Sequence, residues 1–294
     1  MMIACCFVIA GAGVPFCDAS NLQQAPVSPK SNTSPLEVPA RAWAVDAAAN
    51  ELVALHHPGS YLRYRMHVSD EKGDQVRDVI ESKDGSVARL ILKDGRPLTE
   101  AEDKAEQERL NAMIASPSDY FHHVKNEESG RKIADAMIRL MPDAMLYTYV
   151  PEQPQSNSNH GALEVVMDYE PNPNWRPPTT TSAALTGLKG RIWIDAGSHQ
   201  LVRMEGTIFQ GVNFGWGMLA HIYPGGRLVL DQANAGQQRW IFTHFDQQIT
   251  VRALMVKTLK VHANVDAAEF QTLPGGIGYQ DAVRMLLATP LPTH

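Results

Sequence analysis

Two runs of alternating apolar and polar residues constrain this chain most: Gly190-Arg-Ile-Trp-Ile-Asp195 and Leu201-Val-Arg-Met-Glu-Gly206. They flank a short polar loop, Ala196-Gly-Ser-His-Gln200. Period-two alternation on both sides of such a loop is the pattern of two half-buried strands joined by a turn. Antiparallel pairing about the loop places Arg191 opposite Glu205, Trp193 opposite Arg203 and Asp195 opposite Leu201. One face then carries an ion pair and a cation over an indole. The other carries Ile192, Ile194, Val202 and Met204. Each cross-strand pair contributes only about 0.2–1 kcal/mol, but a slip of one residue would turn the whole apolar set outward.

The strand pattern extends in both directions. Tyr61 to Ser69 sets Leu62, Tyr64, Met66 and Val68 against Arg63, Arg65 and His67. Gly73-Asp74 and Asp84-Gly85 are turn signals before Gln75–Ser82 and Ser86–Lys93, making a meander at one edge of a sheet. Leu146–Val150 and Gly161–Glu170 read as further strands. From Leu188 onward the chain is nearly all strand, and Val202, Met204, Ile208, Val212, Phe214 and Trp216 keep one parity. Gly211, Gly215 and Gly217 leave the opposite parity nearly bare, permitting a bend or the close approach of another element. Arg227–Gln232, Arg239–Phe245 (Trp240, Phe242 and His244 on one face), Ile249–Val256 and Lys257–Val265 complete the run.

Helical spacing is confined to four places. Ala40 to His57 is amphipathic, with Trp43, Ala47, Ala48, Leu52 and Leu55 near one face, and stops at Pro58-Gly59. Thr99 and Glu102 form a capping box that opens a charge-dense helix to about Ala115, expected to present a solvated face. Lys132 to Met141 places Ile133, Met137, Leu140 and Met141 on one side, and Pro142 ends or kinks it. Tyr279 to Ala288 is a short apolar helix. The pattern predicts an α+β fold over residues 40–294: one large curved antiparallel sheet of roughly ten strands. An N-terminal helix and an inserted helical segment at about 95–145 cover it.

Ahead of that domain, residues 1–19 have the apolar core of a signal peptide, with Cys17-Asp-Ala19 at the cleavage spacing and no Lys or Arg beside Met1-Met2. A buried N-terminal strand or helix is the alternative. Residues 20–39, rich in Pro, Ser, Gln and Asn, read as a disordered linker. All three cysteines, Cys5, Cys6 and Cys17, fall in the expected signal. The exported form then has no disulfide and no thiol chemistry, unless Cys17 becomes a lipid-bearing N-terminus.

Net charge of −6 argues against a nucleic-acid partner. No apolar run reaches the roughly 18–20 residues of a membrane span. The chain has no dinucleotide fingerprint, phosphate loop or nucleophile elbow. The pairs His56-His57 and His122-His123 are adjacent, and neighbours on a helix point about 100° apart, a poor start for a metal site. Asp195 reads as a turn-initiating residue and Glu205 as the ion-pair partner of Arg191. No catalytic residue, metal or cofactor is expected. An exported hydrolase would require His221, His244 and Asp231 to cluster in a pocket. The methionines, among them Met66, Met137, Met141, Met145, Met204 and Met218, either fill gaps in an ordinary core or line a cavity for acyl chains.

The Gly190-x-x-Trp193-Ile-Asp195 and Leu201-Val-Arg-Met-Glu-Gly206 hairpin, with the expected leader, helix and Tyr61–Lys93 meander, resembles the lipoprotein-localisation carriers of Gram-negative bacteria (LolA/LolB-like). It is also similar to their enlarged, functionally undescribed relatives. That resemblance implies an unclosed barrel with a helical lid over an apolar cavity for acyl chains, in the periplasm or on the periplasmic face of the outer membrane. The helical insert and the strands after Val256 depart from it. The resulting expectation is a non-catalytic carrier of lipid or acylated protein, with an envelope protein as a further partner. The lining would be Leu62, Tyr64, Met66, Ile192, Ile194, Val202, Met204, Phe214 and Trp216, covered by Met137 and Leu140. The alternative is an envelope scaffold or interaction module with a filled core.

Overall fold

The computed structural model describes residues 37–56, 60–152, 154–156, 162–214, 219–253 and 256–292. The expected signal peptide, most of the expected linker, Gly215, Trp216, Gly217 and Met218 lie outside the described residues. In chain order, α1 (Ala40–His56) precedes the meander β1 (Tyr61–Asp70), β2 (Gly73–Ser82) and β3 (Gly85–Lys93), followed by the fragment β4 (Arg96–Pro97). Next come α2 (Glu100–Ala115), α3 (Pro117–Ala144), β5 (Met145–Tyr149), the fragment β6 (Gln155–Ser156) and β7 (Leu163–Pro171). A 3-10 helix (Thr181–Gly187) leads into β8 (Leu188–Asp195) and β9 (Leu201–Ile208). Then β10 (Val212–Phe214), β11 (Ala220–Ile222), β12 (Arg227–Asn234), β13 (Trp240–Ala253), β14 (Lys257–Leu273) and α4 (Tyr279–Ala288) complete the series.

Every strand pair is antiparallel, and all belong to one sheet ordered β4-β3-β2-β1-β14-β13-β12-β9-β8-β7-β5, with β10 and β11 attached to β13 and β6 to β7. The path is open, as an α+β unclosed barrel requires. Its two edge strands, β4 and β5, are the two ends of the α2–α3 connection. The helical insert therefore carries the chain from one edge of the sheet to the other.

The hairpin has the expected register at Arg191↔Glu205 and Trp193↔Arg203 but not beyond. A bulge places Ile194, not Asp195, opposite Leu201 and leaves Val202 as the extra residue. Leu201 thereby takes the inward place predicted for Val202. The guanidinium of Arg203 lies 5.7 Å from the Trp193 ring centroid, as expected. The ion pair is different: Arg191 binds Asp168 of β7 at 2.7 Å, while Glu205 pairs with Arg203, which also holds Asp231. Gly190 is required where it stands, because a Cβ there would lie 1.9 Å from the Glu205 carbonyl oxygen.

Three further expectations are corrected. A bulge skips Thr243, opposing Asp231 to His244 and Gln232 to Phe242. Phe245 is thereby buried at 1% exposure and His244 shares no face with Phe242. The helix expected at Lys132–Met141 begins at Pro117 and runs through Pro142 to Ala144. The charge-dense α2 has its capping box but is no simple solvated face: Leu110 is fully buried and Glu106 accepts the Leu90 N–H at 2.7 Å.

Burial on both sides of the meander explains that correction. Tyr64 and Val79 belong to the main core, under α1 and the C-terminal half of α3. Ile80, one residue on from Val79, and its cross-strand partner Val87 face a second core with Leu110, Tyr120, Val283 and Leu286 from α2, α3 and α4. Tyr120 stacks on Tyr279 with centroids 3.8 Å apart. The helix α3 serves both cores and passes the β2–β3 turn between them. There Gly85, at φ +125°, leaves room for Val124 and the Tyr120 hydroxyl.

Candidate functional site

Between the inner face of the sheet and the covering helices α1 and α3 lie two adjoining, partly open chambers. The first, of about 120 Å³, is lined by Ala44, Ala47 and Ala48 of α1, Met137 and Met141 of α3, and Leu188, Ile192, Leu201, Met204, Leu228 and Phe245 of the sheet, among others. Among the described residues Glu51 is the one charged group on its wall. The second, of about 200 Å³, lies toward the meander and is polar at one side, with Tyr64, Glu81, Ser86, Glu127, Arg131 and Arg239. Glu51, Ile138 and Leu230 border both chambers.

Local rules place each group. Alternation along β8 and β9 turns Ile192 and Met204 inward as cross-strand partners, and the bulge adds Leu201. On α1, Ala44, Ala47, Ala48, Glu51 and Leu55 recur at three- and four-residue steps, so Glu51 sits in the helix's apolar stripe. Gln232 Nε2 donates to Glu51 Oε2 at 2.9 Å, while Oε1 is buried and has no partner. Burial raises the Glu51 carboxyl from its ordinary 4.5 to about 7, against the opposing pull of the Gln232 amide. Glu81 is also pushed up by burial; Arg239, 3.2 Å away, and the Leu62 N–H, at 3.0 Å, draw it back. Desolvation holds the Tyr64 phenol well above its ordinary range, so it remains a neutral donor.

Of the expected lining residues, Tyr64, Met137, Ile192 and Met204 border the chambers. Leu62 and Ile194 are fully buried in the core, and Phe214 is buried on β10. Met66 and Leu140 are half-buried against that core, and Val202 is the half-buried bulge residue. Trp216 lies outside the described residues. The residues not anticipated are chiefly Glu51, Glu81 and Arg239. The signal for Glu51 was an acid inside an apolar helical stripe. Nothing local marked Glu81 or Arg239, which meet across 158 positions of sequence.

The cover is fastened at its margins by polar contacts. Arg41 pairs with Asp143, His56 with Asp135 at 2.5 Å, and His199 of the β8–β9 loop with Asp46 at 2.8 Å. Of the three groups named for a hydrolase, Asp231 and His244 are cross-strand neighbours, but His221 stands apart, opposite Arg252 farther along β13. His221 contacts Asn213 at 2.7 Å and Tyr223, His244 contacts Asp266 at 2.7 Å, and Asp231 holds Arg203. Among the described residues no three His, Cys, Asp or Glu side chains are placed to share a metal ion, and no helix is long and apolar enough to cross a membrane. No protein-family model, curated protein or solved structure matches the chain.

Proposed function

We propose that the protein is an exported, non-catalytic carrier that holds lipid or acylated cargo between the sheet and its helical cover in the periplasm or at the outer membrane. The observation that carries this reading is the chamber walled by aliphatic and aromatic side chains beneath α1 and α3. The resemblance of the Gly190–Gly206 hairpin to lipoprotein-localisation carriers supports it. Apolar burial at roughly 25 cal/mol per Å² supplies affinity without any reacting group. An apolar cavity of about 150 Å³ takes a benzene-sized group, so a chamber of about 120 Å³ holds the end of a chain. A longer chain enters when α1 and α3 part from the sheet. An envelope protein would load or receive the cargo.

Leu62, Ile194 and Phe245, all buried to 1% exposure or less, favour a second reading, a scaffold with a filled core. Organic extraction of the purified full chain, followed by mass spectrometry, separates the two. The carrier reading expects co-purified lipid in near-stoichiometric amount. An empty extract, together with failure to bind acyl probes, would leave the scaffold.

A further inference from the structure

Glu51 stands where the apolar and polar chambers meet. Gln232 occupies one carboxyl oxygen at 2.9 Å; the other is buried and accepts nothing. An acceptor removed from water without a donor is costly, so it is a position where a ligand's donor gains most. The surrounding charges point to the kind of donor. Among the described residues the polar chamber carries three carboxyl groups, Glu51, Glu81 and Glu127, against two guanidinium groups, Arg131 and Arg239. Glu81 is held by Arg239 at 3.2 Å and Glu127 accepts the Ser86 hydroxyl. Glu51 is the carboxyl group with an oxygen still to satisfy, and above pH 7, where it ionises, the chamber's carboxylates outnumber its guanidinium groups and favour a cation over an anion.

We infer that the cargo is a single-chain amphiphile with a primary-amine head, its N–H groups donating to Glu51 Oε1 and its alkyl tail entering the chamber walled by Ile192, Met204 and Met137. This assignment rests on the carrier reading and adds the head group to it. A carboxylate head at the same place would meet the Glu51 oxygen acceptor to acceptor. A hydroxyl would satisfy the hydrogen bond but not the charge.

Calorimetric titration of the full chain at pH 8 with octylamine, octan-1-ol and octanoate tests the assignment. The expected order is octylamine tightest, at least tenfold tighter than octanoate, with octanol between. Glu51→Gln preserves shape and replaces the unsatisfied acceptor by an amide that can turn a donor toward the ligand. In that variant the amine's advantage over octanoate should disappear while octanol still binds. Octanoate binding as tightly as the amine, or an amine preference unchanged in Glu51→Gln, overturns the head-group assignment and leaves the carrier reading standing. Failure of all three probes to bind the unaltered chain overturns both.

Discussion

Glu51 is an acid set into the apolar stripe of α1, with one carboxyl oxygen buried and without a hydrogen-bond partner. Its position could be read from the helix period alone, since Ala44, Ala47, Ala48 and Leu55 flank it on one stripe. Its role could not, because the partner Gln232 is 181 residues away. A carboxyl raised from 4.5 to about 7 by burial has a defined consequence for stability. Below about pH 4.5 it is protonated in folded and unfolded chains alike. Between there and 7 the unfolded chain ionises first, so stability falls as pH rises, by about 3 kcal/mol in all. Above 7 the loss is complete. Urea unfolding of Glu51→Gln across pH 4.5–7.5 should lack this contribution: the difference in stability between the variant and the unaltered chain grows with pH through that window. A constant difference would show that Glu51 does not titrate as its burial requires. The same scale limited the hairpin reading. Alternation placed Trp193 against Arg203 correctly, but no residue type in Leu201-Val-Arg announces that Val202 is the extra residue of a bulge.

Elements with strong local signals were legible: the meander turns, the Thr99–Glu102 box and the helix Tyr279–Ala288 each lie where their residues predicted. The second core was not. It depends on Arg89, a strand residue whose guanidinium is nearly fully buried and reaches Asp103 of α2 at 2.9 Å and the carbonyls of Leu286 and Thr289 at the end of α4, at 2.6 and 2.8 Å. In sequence Arg89 looks like any polar member of an alternating strand. Removing it strands a carboxylate and two helix-end carbonyls, a change that costs about 3–5 kcal/mol when buried. Arg89→Ala should lose at least 3 kcal/mol in urea unfolding and expose α4 to proteolysis. A loss below 1 kcal/mol would show that the apolar contacts of Val283 and Leu286 alone hold the helix. The cover is fastened differently. Arg41 and Asp143 are both more than half exposed, and pairs of that kind contribute only about 0–1 kcal/mol. The double variant Arg41→Ala, His56→Ala should therefore keep its stability within about 1 kcal/mol and release a bound acyl probe several-fold faster in stopped-flow displacement. Unchanged release would mean that α1 does not move to let the ligand leave.

At the scale of the molecule, the open sheet and its helical bridge are two consequences of one topology. The insert leaves the sheet at β4 and rejoins it at β5, the opposite edge. Its last turns, with Met137 and Met141, therefore lie over the inner face, while Leu110 and Tyr120 serve the second core. The length and charge of residues 95–145 marked an insert, but its path from edge to edge depends on strand order, which one sequence does not disclose. Between that bridge, α1 and β8–β9 lies the apolar chamber on which the functional account depends. Titration of the full chain with a fluorescent acyl probe, set against the variant Ala48→Phe, which fills the chamber from α1, tests it most directly. Saturable binding by the unaltered chain and at least tenfold weaker binding by the folded variant are expected. Equal binding by both, or none by either, would contradict it.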